Sequence, residues 1–210
     1  MEILASGETD FLADFMHLIF TKAAAEEIFC PLYARLLKEL SVSYPFLVTE
    51  MLAIYGKFLD IFDEITEESC KDTEEFIKKN KEKKYRKGYS QFITELYKQD
   101  ILDADQFMRT MDKIATNIVE SAAKEEHVQL VEEYAACFLC ICKGIGSSAA
   151  TAAAPAVGPA ATLIAEKLGA LLVTANVKSA VYPSLTNKIR FALLDARDAC
   201  SRRGASSTTA

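Results

Sequence analysis

From residue 89 to residue 97 the side chains of Tyr89, Phe92, Ile93, Leu96 and Tyr97 recur at offsets 0, 3, 4, 7 and 8. That spacing draws a single buried stripe along an α-helix. The same period returns in most of the chain. No segment sustains the two-residue alternation of a half-buried strand. A chain patterned this way has one economical way to hide its apolar surface, which is to pack helix against helix, and the expected class is all-α.

The helices can be placed by their start and stop signals. The first runs from Thr9 or Asp10 to about Glu26 and buries Phe11, Phe15 and Ile19. The second begins near Phe29, with Pro31 in the tolerated first turn and a stripe of Phe29, Leu32, Tyr33, Leu36, Leu37 and Leu40. Tyr44-Pro45 ends it, and a third follows to about Phe62 with Leu47, Met51, Ile54, Tyr55 and Phe58 inward. Asp103 and Gln106 make a capping box for a helix through about Val119, with Phe107, Met111, Ile114 and Ile118 inward. Further helices are expected over about 124–143, led by Tyr134, Phe138, Ile141 and Cys142, then over 161–177 and 184–200. Residues 147–160, rich in Ala and Pro, read as a flexible loop, and 201–210 as a frayed tail, leaving 1–200 as one domain. About eight helices joined mostly by short turns predict antiparallel pairs stacked side by side, with a closed bundle as the alternative.

Charge is distributed unevenly along this pattern. The net charge of −6 argues against a general nucleic-acid coat, because counterion release needs many cations on one surface. Residues 60–75 are crowded with acid, and the sign then reverses in Lys78, Lys79, Lys81, Lys83, Lys84, Arg86 and Lys87. Lys79, Lys83, Lys84, Tyr85, Arg86 and Lys87 are the candidate RNA contacts, the tyrosine as a stacking partner. A solvated helix face is the plainer reading of such a run. No base-reading set is present, so sequence specificity is not expected.

Catalytic patterns are missing. No glycine-rich phosphate loop follows a strand, no Gly-x-Ser-x-Gly elbow or His-Glu-x-x-His pair occurs, and neither His17 nor His127 is placed to partner a nucleophile. Six cysteines include Cys137, Cys140 and Cys142, but on a helix these point in directions too different to converge on a metal. They read as small buried residues in a reducing compartment. No enzyme, metal or cofactor is expected. Residues 144–165 carry no charge yet are too weakly apolar to span a membrane, and no basic leader opens the chain, so an intracellular protein without membrane attachment is expected.

Three stretches are familiar together: "HLIFTKAAAEEIFCPLYARLLKEL" at 17–40, "YRKGYSQFITELYKQDIL" at 85–102 and "NKIRFALLDARDAC" at 187–200. In order and spacing they resemble the middle domain of translation initiation factor 4G, and "YAACFLCICKGIG" is similar to a core helix of that family. The resemblance implies a HEAT-type stack of helix pairs acting as a non-catalytic, cytoplasmic scaffold. It also implies a partner, a DEAD-box helicase of the initiation factor 4A type, whose two lobes the domain clamps and whose ATPase it stimulates. Further implied partners are mRNA and other initiation factors or the small ribosomal subunit.

Carried across residue by residue, Glu26, Glu27, Ile28 and Phe29 stand at the turn that meets the helicase's C-terminal lobe, and Arg190, Asp195 and Arg197 on the helix that meets its N-terminal lobe. Glu27 replaces the family's proline, Tyr89-Ser90-Gln91 replaces its Gly-Asn-Ile, and the 147–160 loop is an addition. The family's first helix would precede residue 1. A regulator that sequesters the helicase, an RNA-binding module, and an mRNA-decay or splicing adaptor of the same fold are the alternatives.

Overall fold

A computed structural model describes residues 9–62, 73–148, 157–176 and 181–201. Among them are eight α-helices and no strand. They are α1 (Thr9–Ala25), α2 (Cys30–Ser43), α3 (Phe46–Phe58), α4 (Thr73–Lys98), α5 (Ala104–Ala122), α6 (Val128–Ser148), α7 (Val157–Asn176) and α8 (Asn187–Ser201). Short 3₁₀ turns at Glu27–Phe29 and Leu59–Phe62 precede α2 and follow α3. The all-α expectation holds, and the arrangement is a stack.

The stack has two layers. α2, α4, α6 and α8 lie side by side in one, while α5 and α7 neighbour each other in the second and pack across onto α6 and α8. Side-chain contacts fix the direction. Arg86 meets Glu133 and Ser90 meets Cys137. Farther along, Gly144 abuts Thr94. The numbers rise together, so α4 and α6 run parallel. Lys188 pairs with Glu132, and Gly146 abuts Ala199, so α6 and α8 also run parallel. Alternate helices thus share both a layer and a direction, which is how stacked helix pairs behave.

The stripe at 89–97 forms the centre of the core. Tyr89, Phe92, Ile93, Leu96 and Tyr97 are all buried, Phe20 of α1 packs edge-on against Phe92 with ring centroids 5.1 Å apart, and Tyr97 stacks on Phe107 at 4.4 Å. Two local devices frame it. α4 ends in a Schellman motif: Ile101 N–H donates to Leu96 C=O at 3.0 Å, Asp100 N–H donates to Tyr97 C=O at 3.0 Å, and Asp100 takes the left-handed conformation with φ 52°. α5 then starts with the expected capping box, Gln106 N–H donating to Asp103 Oδ1 at 2.7 Å and Asp103 N–H to Gln106 Oε1 at 3.1 Å.

Three expectations are corrected. Phe11 of α1 is 38% exposed, and Leu12 and Met16 take the buried face in its place. In α2 the buried positions are Cys30, Ala34 and Leu37, while Leu32 and Leu36 are exposed and Phe29, just before the helix, is 46% exposed. α2 is apolar round much of its circumference, and the face that turned inward is the one with small side chains. Cys30 Sγ donates to Ala23 C=O at 3.3 Å and lies 3.6 Å from the Gly88 carbonyl oxygen, so larger residues there would hold the helices apart. The expected loop over 147–160 is also shorter, because α6 continues through Ser148 and α7 begins at Val157; 149–156 lie outside the described residues. Gly144 and Gly146 are not helix breakers here. Each lets a neighbouring helix come closer than a Cβ would allow, at Thr94 and at the Ala199 carbonyl oxygen respectively.

The expected burial of the cysteines is seen at four of the five described positions. Cys30, Cys137, Cys142 and Cys200 are buried free thiols, Cys140 is half-buried, and Cys70 lies outside the described residues. Burial pushes the Cys30 and Cys137 thiols up to about 12, which makes them poor nucleophiles. Among the described residues no helix is long and apolar enough to cross a membrane.

Candidate functional site

Three groups of residues singled out in the sequence take up distinct positions. The first is the turn between α1 and α2. Glu26 is held by Lys22 at 3.3 Å and accepts from the Tyr33 hydroxyl at 3.1 Å, so its carboxylate is fixed. Ile28 is 77% exposed and Phe29 follows it outward. Phe29, Leu32 and Leu36 then continue along one side of α2, roughly 120° round from its buried face at about 100° per residue. The turn therefore opens an apolar strip bordered by fixed charge. Leu32 and Leu36 belong to that strip although the sequence pattern assigned them to the core.

The second group is the basic run, which occupies the first half of α4. Lys83 and Lys84 are exposed, and among the described residues neither has an ion-pair partner; Lys87 is half-exposed. Arg86 is different. It is buried and paired to Glu133 of α6, so its guanidinium serves the α4–α6 interface and is withdrawn from phosphates. Tyr85 is half-buried against the core with its hydroxyl bonded to the Thr21 side chain, and its ring is no open platform for a base. Both corrections have one cause: α4 turns roughly 100° per residue, so consecutive members of a charge run cannot share a face. Lys79 sits between these extremes, partly buried.

The third group lies on α8, whose buried stripe is Ile189, Leu193, Ala196 and Cys200. Opposite that stripe stand Phe191, Asp195 and Asp198, with Phe191 65% exposed. Arg190 and Arg197 border this face on one side. Among the described residues Arg197 makes only a long contact to Asp198 at 3.4 Å, and Arg190 Nε is shielded from solvent with no hydrogen-bond partner. No ion pair joins Arg190 to Asp195 among the described residues. Phe191 was passed over in the sequence, although an aromatic residue two places off the core stripe was the available signal.

The first and third groups lie at opposite ends of the layer α2, α4, α6, α8. The basic run and the turn, by contrast, meet: Lys87 Nζ lies 3.2 Å from Glu27 Oε2.

No family model matches the chain, and no curated protein matches its sequence.

Proposed function

We propose that the protein is a non-catalytic scaffold of translation initiation that binds and stimulates a DEAD-box RNA helicase of the initiation factor 4A type. The observation that carries this reading is the pairing of two exposed apolar and charged faces, Ile28–Phe29 with the outer side of α2 and Phe191 with Arg190, Asp195 and Arg197, on the two outer helices of one layer. A two-lobed partner bound at both faces is held at a set spacing, and the stack supplies rigidity where the helicase supplies chemistry. The resemblance of 17–40, 85–102 and 187–200 to the middle domain of initiation factor 4G supports the same assignment. Lys79, Lys83, Lys84 and Lys87 add a local, salt-sensitive RNA contact between the two faces. The working compartment is the cytoplasm.

The deciding experiment is the RNA-stimulated ATPase rate of the initiation helicase from the same source, with and without the protein, beside a pull-down. A several-fold rise with binding supports the scaffold. Binding without a rise identifies a sequestering regulator, and absence of binding to this helicase removes the proposal in favour of a decay or splicing adaptor of the same fold.

A further inference from the structure

Cys142 of α6 donates a hydrogen bond to Cys200 of α8, and both are free thiols. The contact follows from how closely the two helices approach. Gly146 stands one helical turn beyond Cys142, and a Cβ placed on it would collide with the Ala199 carbonyl oxygen, so α8 presses against α6 where a larger residue would hold it off. That approach sets two sulfurs from distant parts of the chain side by side. Cys142 is fully buried, while Cys200, in the last turn of α8, is 8% exposed.

The two thiols are not equivalent. Cys142, the donor, holds its proton well above the ordinary thiol range, through the hydrogen bond to Cys200 and through burial. The same hydrogen bond steadies the Cys200 thiolate and lowers that group from its ordinary 9.0, whereas Cys30, Cys137 and Cys140 are all raised by burial. A thiolate is the form that reacts with oxidants, and a neighbouring thiol resolves the product. Cys200 provides the first and Cys142 the second. Helix ends open more readily than helix centres, so a molecule as small as hydrogen peroxide reaches Cys200 before Cys142.

We propose that Cys142 and Cys200 form a peroxide-sensitive dithiol that closes to a disulfide and fastens α8 to α6. The Cys200 thiolate attacks one peroxide oxygen, the O–O bond breaks, and Cys200 becomes a sulfenic acid while the departing hydroxide takes up the proton that Cys200 had released. The Cys142 sulfur then attacks the Cys200 sulfur; an S–S bond forms, the S–O bond breaks, and the oxygen leaves with the Cys142 proton as water. Two thiols and one peroxide thus give one disulfide and two water molecules, the sulfurs losing the two electrons that peroxide gains. α8 carries Arg190, Phe191, Asp195 and Arg197, so the bond fixes the outer face of that helix to the core. Neither helicase nor RNA enters this chemistry, and it is tested apart from the proposed function.

The test treats the purified, fully reduced protein with a small excess of hydrogen peroxide at neutral pH, blocks the remaining thiols with N-ethylmaleimide and maps peptides by mass spectrometry without reductant. The expected product is a peptide pair joined through Cys142 and Cys200, two hydrogens lighter than the sum of its parts and split by dithiothreitol. The oxidised protein should melt roughly 5 °C or more above the reduced one, because the bond closes a long loop. In Cys142→Ala the reaction stops at the Cys200 sulfenic acid, which dimedone traps, whereas wild type yields little adduct. The mapping needs no variant, so it decides even where Cys142→Ala folds poorly. Peroxide that leaves Cys200 reduced, a disulfide joining other cysteines in its place, a Cys142–Cys200 bond that forms only in urea, or an oxidised protein that melts no higher than the reduced one each overturn the proposal.

Discussion

Arg86 of α4 and Glu133 of α6 form an ion pair with side chains only 7% and 12% exposed. The pair staples the two central helices of the layer and withdraws one cation from an otherwise solvated run. Removing one partner leaves an uncompensated charge in a largely buried site. Glu133→Gln and Arg86→Ala are each expected to cost about 3–5 kcal/mol, read as a lower urea midpoint, whereas Lys83→Ala should change stability by less than about 0.5 kcal/mol. An Arg86→Ala protein as stable as wild type would show that the pair is dispensable.

Glycines divide into two kinds. Gly88 sits against the Ala24 carbonyl, Gly144 against Thr94 and Gly146 against the Ala199 carbonyl, all closer than a Cβ permits. Gly88→Ala and Gly146→Ala meet backbone that cannot swing aside, and each is expected to destabilise by about 1–3 kcal/mol. Gly169 of α7 has open space around its Cβ position, so Gly169→Ala should stabilise by about 0.5–1 kcal/mol through helix propensity. Thermal melts of the three variants give opposite signs if this is correct.

Asp100 closes α4 in the left-handed conformation that glycine adopts without a Cβ penalty. Asp100→Gly is expected to raise stability by about 0.5–1 kcal/mol while leaving the Ile101 to Leu96 hydrogen bond in place. Slower amide exchange at Ile101 would accompany the gain; a loss of stability would mean that the Asp100 side chain does more than occupy the turn.

Buried thiols set an alkaline limit. Burial raises Cys30 and Cys137 from an ordinary value of 9.0 to about 12, so between these values the unfolded chain releases thiol protons that the folded chain retains. The unfolded state then binds fewer protons, and stability falls as pH rises. Their contribution is fully present below about pH 9 and is lost progressively toward pH 12. Urea midpoints measured from pH 7 to 11 should stay level and then decline, and Cys137→Ala should flatten the decline after allowance for its lower starting stability. At pH 8 both thiols should react with a disulfide reagent only after unfolding.

Docking through the two outer faces predicts a separation of stability from binding. Phe29→Asp and Phe191→Asp alter exposed positions and should change the unfolding free energy by less than about 0.5 kcal/mol. Each should weaken helicase affinity by tenfold or more, as expected for an aromatic anchor. Titration calorimetry against the helicase decides this, and unchanged affinity in both variants would remove the faces from the interface.

Much of this molecule was legible in its residues. The 3.6-residue period of Tyr89 to Tyr97, the Asp103–Gln106 capping box and the Tyr44-Pro45 break are local signals, and local backbone and side-chain chemistry is enough to read them. Burial direction was not legible where a helix is apolar on more than one side. The side of α2 that turned inward depends on how closely Cys30 and Ala34 let it approach Gly88, 58 residues on from Cys30. Nor could a run of like charges reveal that Arg86 leaves it to meet Glu133, 47 residues away, while Lys87 turns to Glu27. Period and capping depend on neighbours within a turn or two and so belong to the sequence alone. The choice of face and the pairing of charge depend on which distant helix arrives alongside, and only the packed stack brings it there.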